Sequence, residues 1–367
     1  MARIVVLTLP SERNYGNRLQ AYALSQALVK LDHDATMIEF YSQSTFLRSA
    51  RRAIAQWYHR LFGTPWGLAT EAKRLAFRRF SRQYVPTKRY LSVFTAKSWF
   101  KTVDCFIVGS DQVWNPHLTS TSSRMFLQFA PRRKRVAYAA SFGVSTIPDE
   151  KRASYINWLS GIEHISVREE SAAEIVESLT GRNAQVVLDP TMLLSPEEWL
   201  SLELPPDHRI PEEPFIFSYH LREANSEIRE RILEYSRDTG ARILDVMGDH
   251  FHSSHVALTP AEFVHAVSKA DLVVTDSFHG LVFSIIMNRP VVVGPRSDGD
   301  GMNSRVITLL RAFGLEICQW GGGSSVSDIA YSINFDSVNC ILNQRRADSM
   351  GWLSAVIDRA ITDAESL

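Results

Sequence analysis

Cysteine is scarce in this 367-residue chain: Cys105, Cys318 and Cys340 are odd in number and far apart. They form neither a disulfide framework nor a zinc-ligand spacing, so they read as small buried hydrophobes. No apolar run reaches the roughly 18 residues that a spanning helix needs. The opening ARIVVLTLP passes into polar residues instead of a signal-type apolar stretch. A cytoplasmic protein is expected. Net charge is lacking as well, with 40 Lys and Arg against 40 Asp and Glu. Internal repeats, a GxxxxGKS/T phosphate loop and a GxGxxG dinucleotide fingerprint are all missing, which excludes the commonest nucleotide-cradling signatures.

What is present is alternation. Periodicity predicts strands over 3–9, 35–40, 105–108, 136–140, 162–167 and 185–188. Helices fall between them over 18–31, 150–159 and 169–179, with Asn17 as N-cap of the first. Pro190, Pro196, Pro205, Pro206, Pro211 and Pro214 then interrupt the pattern and read as a linker. Beyond them, strands over 215–220, 242–247, 271–275 and 290–293 alternate with helices over 226–238, 260–269, 278–287 and 306–313. The length and the 45% apolar composition suffice for two cores. The expected fold is α/β, two Rossmann-like domains facing a cleft: 1–195, 214–345, and a C-terminal helix over 346–367. Ligands of such sheets bind outside the carboxyl ends of the strands.

Within the first domain, 42–100 reads as a helical insertion with twelve Lys and Arg against one acid, Glu71. Ile54, Trp57, Tyr58 and Leu61 fall at i, i+3, i+4 and i+7, with Arg51, Arg52 and Arg60 around them. Three readings are open: a packed insertion with a solvated basic face, docking on an anionic membrane surface, and nucleic-acid binding. No nucleic-acid motif accompanies the charge, which weighs against the last.

The chemistry-bearing residues cluster after strands. Asp276, Ser277 and His279 lie where the strand over 271–275 gives way to a helix, an end whose amides and dipole favour an anion. His279 is a candidate acid–base group there, histidine being the residue type suited to proton transfer near neutral pH. Ser110 and Asp111 follow the strand over 105–108 and precede Trp114 and Asn115. They read either as a turn or as a carboxylate that orients a sugar hydroxyl while Trp114 stacks on the ring. Arg168, after the strand over 162–167, is placed to grip an oxyanion, whereas Glu169 and Glu170 complement a helix dipole. Asn303 or Ser304 reads as the N-cap of the helix over 306–313, and Arg305 is a further cation there. His250, His252 and His255 fit no tetrahedral ligand pattern, so no metal is expected.

Five stretches, in order, carry a resemblance: YGNRLQAYAL from Tyr15, VGSDQVWNP from Val108, SVREESAAEIV from Ser166, VLDPTMLLSPEEW from Val187 and TDSFHGLVFSIIMNRPVV from Thr275. The chain resembles the polysaccharide pyruvyl transferase family, whose architecture is similar to that of twin-Rossmann, GT-B type glycosyltransferases. The resemblance implies transfer of a pyruvyl group from phosphoenolpyruvate to two hydroxyls of a sugar or lipid-linked oligosaccharide, with no cofactor. It implies His279 as general acid, Arg168 and Arg305 on phosphoenolpyruvate, and the Gly280 and Leu281 amides in support. Asp111, Asn17, Gln20, Ser110, Trp114 and Asn115 are then expected on the acceptor side. Some relatives carry an arginine where this chain has Ser277, which leaves Arg305 or Arg296 to supply the charge. Two alternatives stand beside this reading, a nucleotide-sugar glycosyltransferase and a non-catalytic glycan-binding or scaffold protein. If the acceptor is built on a lipid carrier, Arg51, Arg52, Arg78 and Arg79 are candidates for contact with an anionic inner membrane face.

Overall fold

The computed structural model describes residues 1–9, 14–40, 65–221, 226–246, 256–295, 300–321 and 325–365. The expected helix carrying Ile54, Trp57, Tyr58 and Leu61, with Arg51, Arg52 and Arg60, lies outside these residues, as do His250, His252, His255 and Arg296. The chain divides into a first unit, Met1–Phe142 with Thr146–Pro190 and Ser349–Leu367, and a second, Gly143–Ser145 with Thr191–Asp348.

The first unit is built on β1 (Arg3–Leu7), β2 (Asp34–Phe40), β3 (Thr87–Tyr90), β4 (Cys105–Val108), β5 (Arg135–Ala140), β6 (His164–Val167) and β7 (Gln185–Val186). They form one sheet in the order β3-β2-β1-β4-β5-β6-β7, parallel throughout. β4 and β5 are buried along their whole length, which is why CFIV and RVAYAA do not alternate with polar residues. The second unit holds β8 (Phe215–Tyr219), β9 (Arg242–Asp245), β10 (Leu272–Thr275) and β11 (Val291–Val293), in the parallel order β11-β10-β8-β9. Both are Rossmann-like sheets whose order reverses beside the first strand, between β1 and β4 and between β8 and β10.

Three features differ from expectation. The stretch 42–100 is not wholly helical: between the helices Pro65–Tyr84 and Val93–Phe100 it supplies β3, which pairs with β2 at the sheet edge. TKRY has no apolar alternation to announce a strand, and its Lys88 and Arg89 blunt an exposed edge. Arg89 is tied to Glu39 at 2.9 Å, and the Lys88 ammonium sits 4.1 Å from the Trp99 ring centroid. Secondly, the proline-rich stretch from Thr191 is part of the second unit. Its short helix Pro196–Leu200 buries Trp199 edge-on against Phe283, with the indole N–H donating to the Thr191 carbonyl at 3.0 Å. Thirdly, the last helix starts at Phe335 instead of 346 and changes unit at Ser349. There Ser349 accepts the Leu188 amide at 3.0 Å and Trp352 lies against Tyr138. No helix among the described residues is long and apolar enough to cross a membrane. On the helix Pro65–Tyr84, Arg78 is half-buried and Arg79 exposed.

Candidate active site

In the first unit the chain leaves β1 toward β2 and leaves β4 toward β5, so the two loops diverge and open a rim. The helix after β1, Tyr15–Lys30, is capped by Asn14, whose side chain accepts the Asn17 amide at 3.0 Å. Asn17 is therefore not the N-cap. It lies in the first turn, and its Nδ2 instead donates to Asp111 Oδ2 at 2.8 Å. Asp111 has φ 75°, a left-handed conformation that L residues other than Gly, Asn and Asp rarely adopt. It is held there by a bridge to Ala140, by the Ser141 amide donating to its carbonyl at 3.1 Å, and by the Gln112 amide on Oδ1 at 2.9 Å. Ala139, one residue before Ala140, is also left-handed, φ 50°, where the β5–β6 register shifts. Two of the five left-handed non-glycine residues among those described thus fall at or beside this rim.

Two amide orientations follow from donor bookkeeping. The Thr8 hydroxyl donates its one proton to the Ser110 carbonyl at 3.1 Å, so it accepts from Gln20, whose Nε2 lies 2.9 Å away. An ionised Asp111 can only accept, so Asn17 presents its amino group there. The remaining oxygens, Asn17 Oδ1 and Gln20 Oε1, are buried acceptors that meet no donor among the described residues.

Beneath Asp111 lies a buried charge network. Ser110 Oγ donates to Asp189 Oδ2 at 2.9 Å, and Arg168 Nη1 donates to the same oxygen at 2.9 Å. Arg168 Nε is 3.6 Å from Glu169 Oε2, and Glu169 Oε1 accepts from Ser141 Oγ at 2.6 Å. The Arg168 side chain is 2% exposed and that of Asp189 0%. Burial alone lowers the Arg168 pKa, but Asp189, Glu169 and Asp111 outweigh it and leave the guanidinium above its ordinary value. The expectation that Arg168 grips a donor anion is therefore corrected: its charge is spent on buried carboxylates. Glu169 likewise serves this network and makes no cap hydrogen bond.

Trp114 is corrected too. It is fully buried, stacked on Phe126 at 5.2 Å, and its indole N–H donates to the Met125 carbonyl at 2.9 Å, so it offers no face to a sugar. Asn115 is also buried and closes the turn, donating to Gln112 and accepting the His117 amide at 2.8 Å.

In the second unit, β8 and β10 pair with Tyr219 opposite Thr275, and the Leu221 amide donates to Asp276 Oδ1 at 2.7 Å. Ser277 is the N-cap of the helix Phe278–Ile286 but makes no side-chain cap bond, while its own amide donates to Thr275 Oγ1 at 3.0 Å. The Leu281 amide is committed to the Ser277 carbonyl at 3.1 Å, so it is unavailable to a ligand, contrary to expectation. Gly280 precedes Leu281, the first amide bonded to an acceptor within the helix, so its own amide is one of the end groups that helix geometry leaves without an intrahelical partner. A Cβ at Gly280 would stand 2.3 Å from Thr275 Oγ1, which is why the helix approaches β10 only with glycine there. His279, in the same first turn, is buried with its ring edge-on to Phe278. Arg305 is also buried, on the helix Asp300–Phe313 that packs beside Phe278–Ile286. That helix starts before Asn303 and Ser304, so neither caps it.

Sequence reasoning missed Asp189, Ser141 and a buried trio at the ends of β8 and β9, namely Ser218, His220 and Asp245. Each lies at or just beyond the carboxyl end of a strand. The strand-end position was itself the available signal.

The twin Rossmann-like fold is shared with solved enzymes of sugar-nucleotide chemistry. UDP-N-acetylglucosamine 2-epimerase from Rickettsia bellii superposes with TM-score 0.51 at 12% identity, covering 99% of this chain and 96% of that one. The UDP-GlcNAc 2-epimerase from Methanocaldococcus jannaschii gives 0.50 at 13% identity, covering 94% of each chain. At such identities the likeness is one of fold. No curated protein sequence matches the chain. The profile described as polysaccharide pyruvyl transferase matches residues 14–294, which is most of the chain and takes in Asp111, Arg168 and His279. The chain belongs to the polysaccharide pyruvyl transferase family.

Proposed function

We propose that the protein transfers a pyruvyl group from phosphoenolpyruvate to two hydroxyls of one sugar in an exopolysaccharide or cell-surface glycan precursor. The products are a cyclic pyruvate ketal and inorganic phosphate. The observation that supports this best is the second unit's rim, where His279 stands in the first turn of a helix and a buried Arg305 is carried by the helix that packs against it. A helix end and an arginine suit a phosphorylated carboxylate, and an imidazole suits protonation of its enol methylene. In the first unit, Asp111 with the acceptor oxygens of Asn17 and Gln20 suits sugar hydroxyls, which donate.

His279 protonates the methylene as the first hydroxyl attacks the neighbouring carbon, and a base takes that hydroxyl's proton. Phosphate then leaves, and the second hydroxyl closes the ring while its proton passes to the phosphate. The stoichiometry needs no nucleotide or redox cofactor.

Calorimetric titration with phosphoenolpyruvate, UDP-sugars and GDP-sugars tests the reading. Saturable binding of phosphoenolpyruvate alone is expected, weakened at least about tenfold by Arg305→Ala. Phosphate release should then depend on a glycan acceptor. Preference for a nucleotide-sugar would overturn it.

A further inference from the structure

The carboxyl end of β8 carries a polar relay that these roles leave unused. Ser218 lies on β8 and His220 one residue beyond its end. Ser218 is the register partner of Asp245 on β9. Ser218 and Asp245 are 0% exposed and His220 2%. His220 Nδ1 lies 3.2 Å from Ser218 Oγ, which lies 3.4 Å from Asp245 Oδ1.

With Asp245 ionised, proton counting sets the direction of this relay. A carboxylate only accepts, and serine has one proton, so the hydroxyl donates to Asp245 and accepts from His220 Nδ1–H. Nδ1 therefore keeps its proton in both charge states of the ring. Nε2 is the position that gains and loses one, the division of labour seen when an acid stands behind a catalytic histidine. His220 also stands at the second unit's switch point. The chain leaves β8 and β10 side by side after the Tyr219–Thr275 pair, and the Leu221 amide joins the two loops through Asp276. The helix bearing His279 opens two residues later.

Resting on the pyruvyl transfer proposed above, we propose that His220 is a further acid–base residue of the reaction and acts on the step that neither His279 nor the base for the first hydroxyl serves. Its Nε2 gives a proton to the bridging oxygen as the carbon–oxygen bond to phosphate breaks. It recovers one from the second sugar hydroxyl as the ketal carbon–oxygen bond forms. The enzyme's proton count is unchanged and phosphate departs as the hydrogen phosphate dianion. Ser218 and Asp245 are positioning residues for this step.

Rapid-quench analysis with phosphoenolpyruvate and an active glycan acceptor, following phosphate and the phosphate-retaining adduct by mass, tests the assignment. His220→Gln should slow phosphate release by roughly 100-fold or more, as loss of an acid–base group does, while the adduct accumulates. His279→Ala should form no adduct. Ser218→Ala should slow release with phosphoenolpyruvate affinity unchanged, and Ser218→Thr should restore it. Nitrogen-15 NMR should show the Nδ1-protonated ring of His220 in the wild type and its loss in Ser218→Ala. His220→Gln releasing phosphate within about twofold of wild type, or failing without adduct, would overturn the role of His220 alone. A wild type that releases no phosphate with any glycan acceptor would overturn the pyruvyl transfer itself, and the catalytic role of His220 with it, even if the NMR tautomer stands.

Discussion

Asn17 and Asp111, 94 positions apart in the chain, are joined by a 2.8 Å hydrogen bond across the point where the first sheet reverses its strand order. The bond ties the helix after β1 to the loop after β4. It also holds a carboxylate on a residue whose left-handed backbone aims it out of the strand. Strain retained in this way is a recurrent property of functional rims.

Asp111→Asn keeps a residue type that tolerates φ 75° but removes the charge. We expect thermal stability within a few degrees of wild type, and phosphate release from phosphoenolpyruvate reduced about 100-fold or more. Asp111→Val should behave differently. A β-branched residue is a true outlier at that φ and should cost about 1–2 kcal/mol in urea denaturation. Equal stability of the two variants would refute the strain argument.

Arg168→Met strips the counter-charge from Asp189 and Glu169 in a buried setting, and should destabilise the fold by about 3–5 kcal/mol. Adding Asp189→Leu should return part of that loss, because the orphaned carboxylate is removed as well. Calorimetry on whatever folded fraction persists should give wild-type affinity for phosphoenolpyruvate. A large affinity loss with intact stability would restore Arg168 to the donor site.

How much was legible beforehand follows from which forces are local. The strands β4, β5, β8 and β10 could be read because fully buried parallel strands are continuous apolar runs, and Asp111, Asp276 and His279 because they follow such runs. β3 could not, since TKRY becomes a strand only through pairing with β2. Arg168 was assigned to an anion because strand ends attract anions. The carboxylate that claims it, Asp189, lies 21 positions on, and no periodicity in the sequence links the two. Trp114 was misread for the same reason, its indole partner being the Met125 carbonyl in an irregular turn. The relay from His220 to Asp245 depends on register between β8 and β9, which the sequence does not display.

The thiols give a pH-dependent test. Burial pushes Cys105 and Cys318 from an ordinary value of 9.0 up to about 12, while Cys340 is exposed. At about pH 8 iodoacetamide should modify one cysteine per folded chain and all three in denaturant. The sign for stability follows: unfolded chains lose these protons near pH 9 and folded ones do not. The contribution is complete below pH 9.0 and declines as pH rises toward about 12. Replacing both buried cysteines with alanine should flatten that decline. An unchanged slope would place its cause elsewhere.

Gly280 sets how closely the helix carrying His279 approaches β10. An alanine Cβ would lie 2.3 Å from Thr275 Oγ1 and 2.8 Å from Thr275 Cβ, closer than real contacts allow. The Thr275 hydroxyl cannot simply rotate away, because it donates to the Tyr219 carbonyl at 2.6 Å and accepts the Ser277 amide at 3.0 Å. The helix must lift instead, carrying His279 with it. Gly280→Ala should therefore cost about 1–3 kcal/mol in denaturant titration, the usual range for overpacking. Activity should fall by more than stability explains, since a displacement of about 1 Å at a reacting group costs on the order of 100-fold. In a Thr275→Ala background, which removes two of the three clashing atoms, the cost of adding the methyl should shrink. Additive costs would mean that the helix tolerates the extra carbon in some other way and that its close approach to the sheet does not position His279.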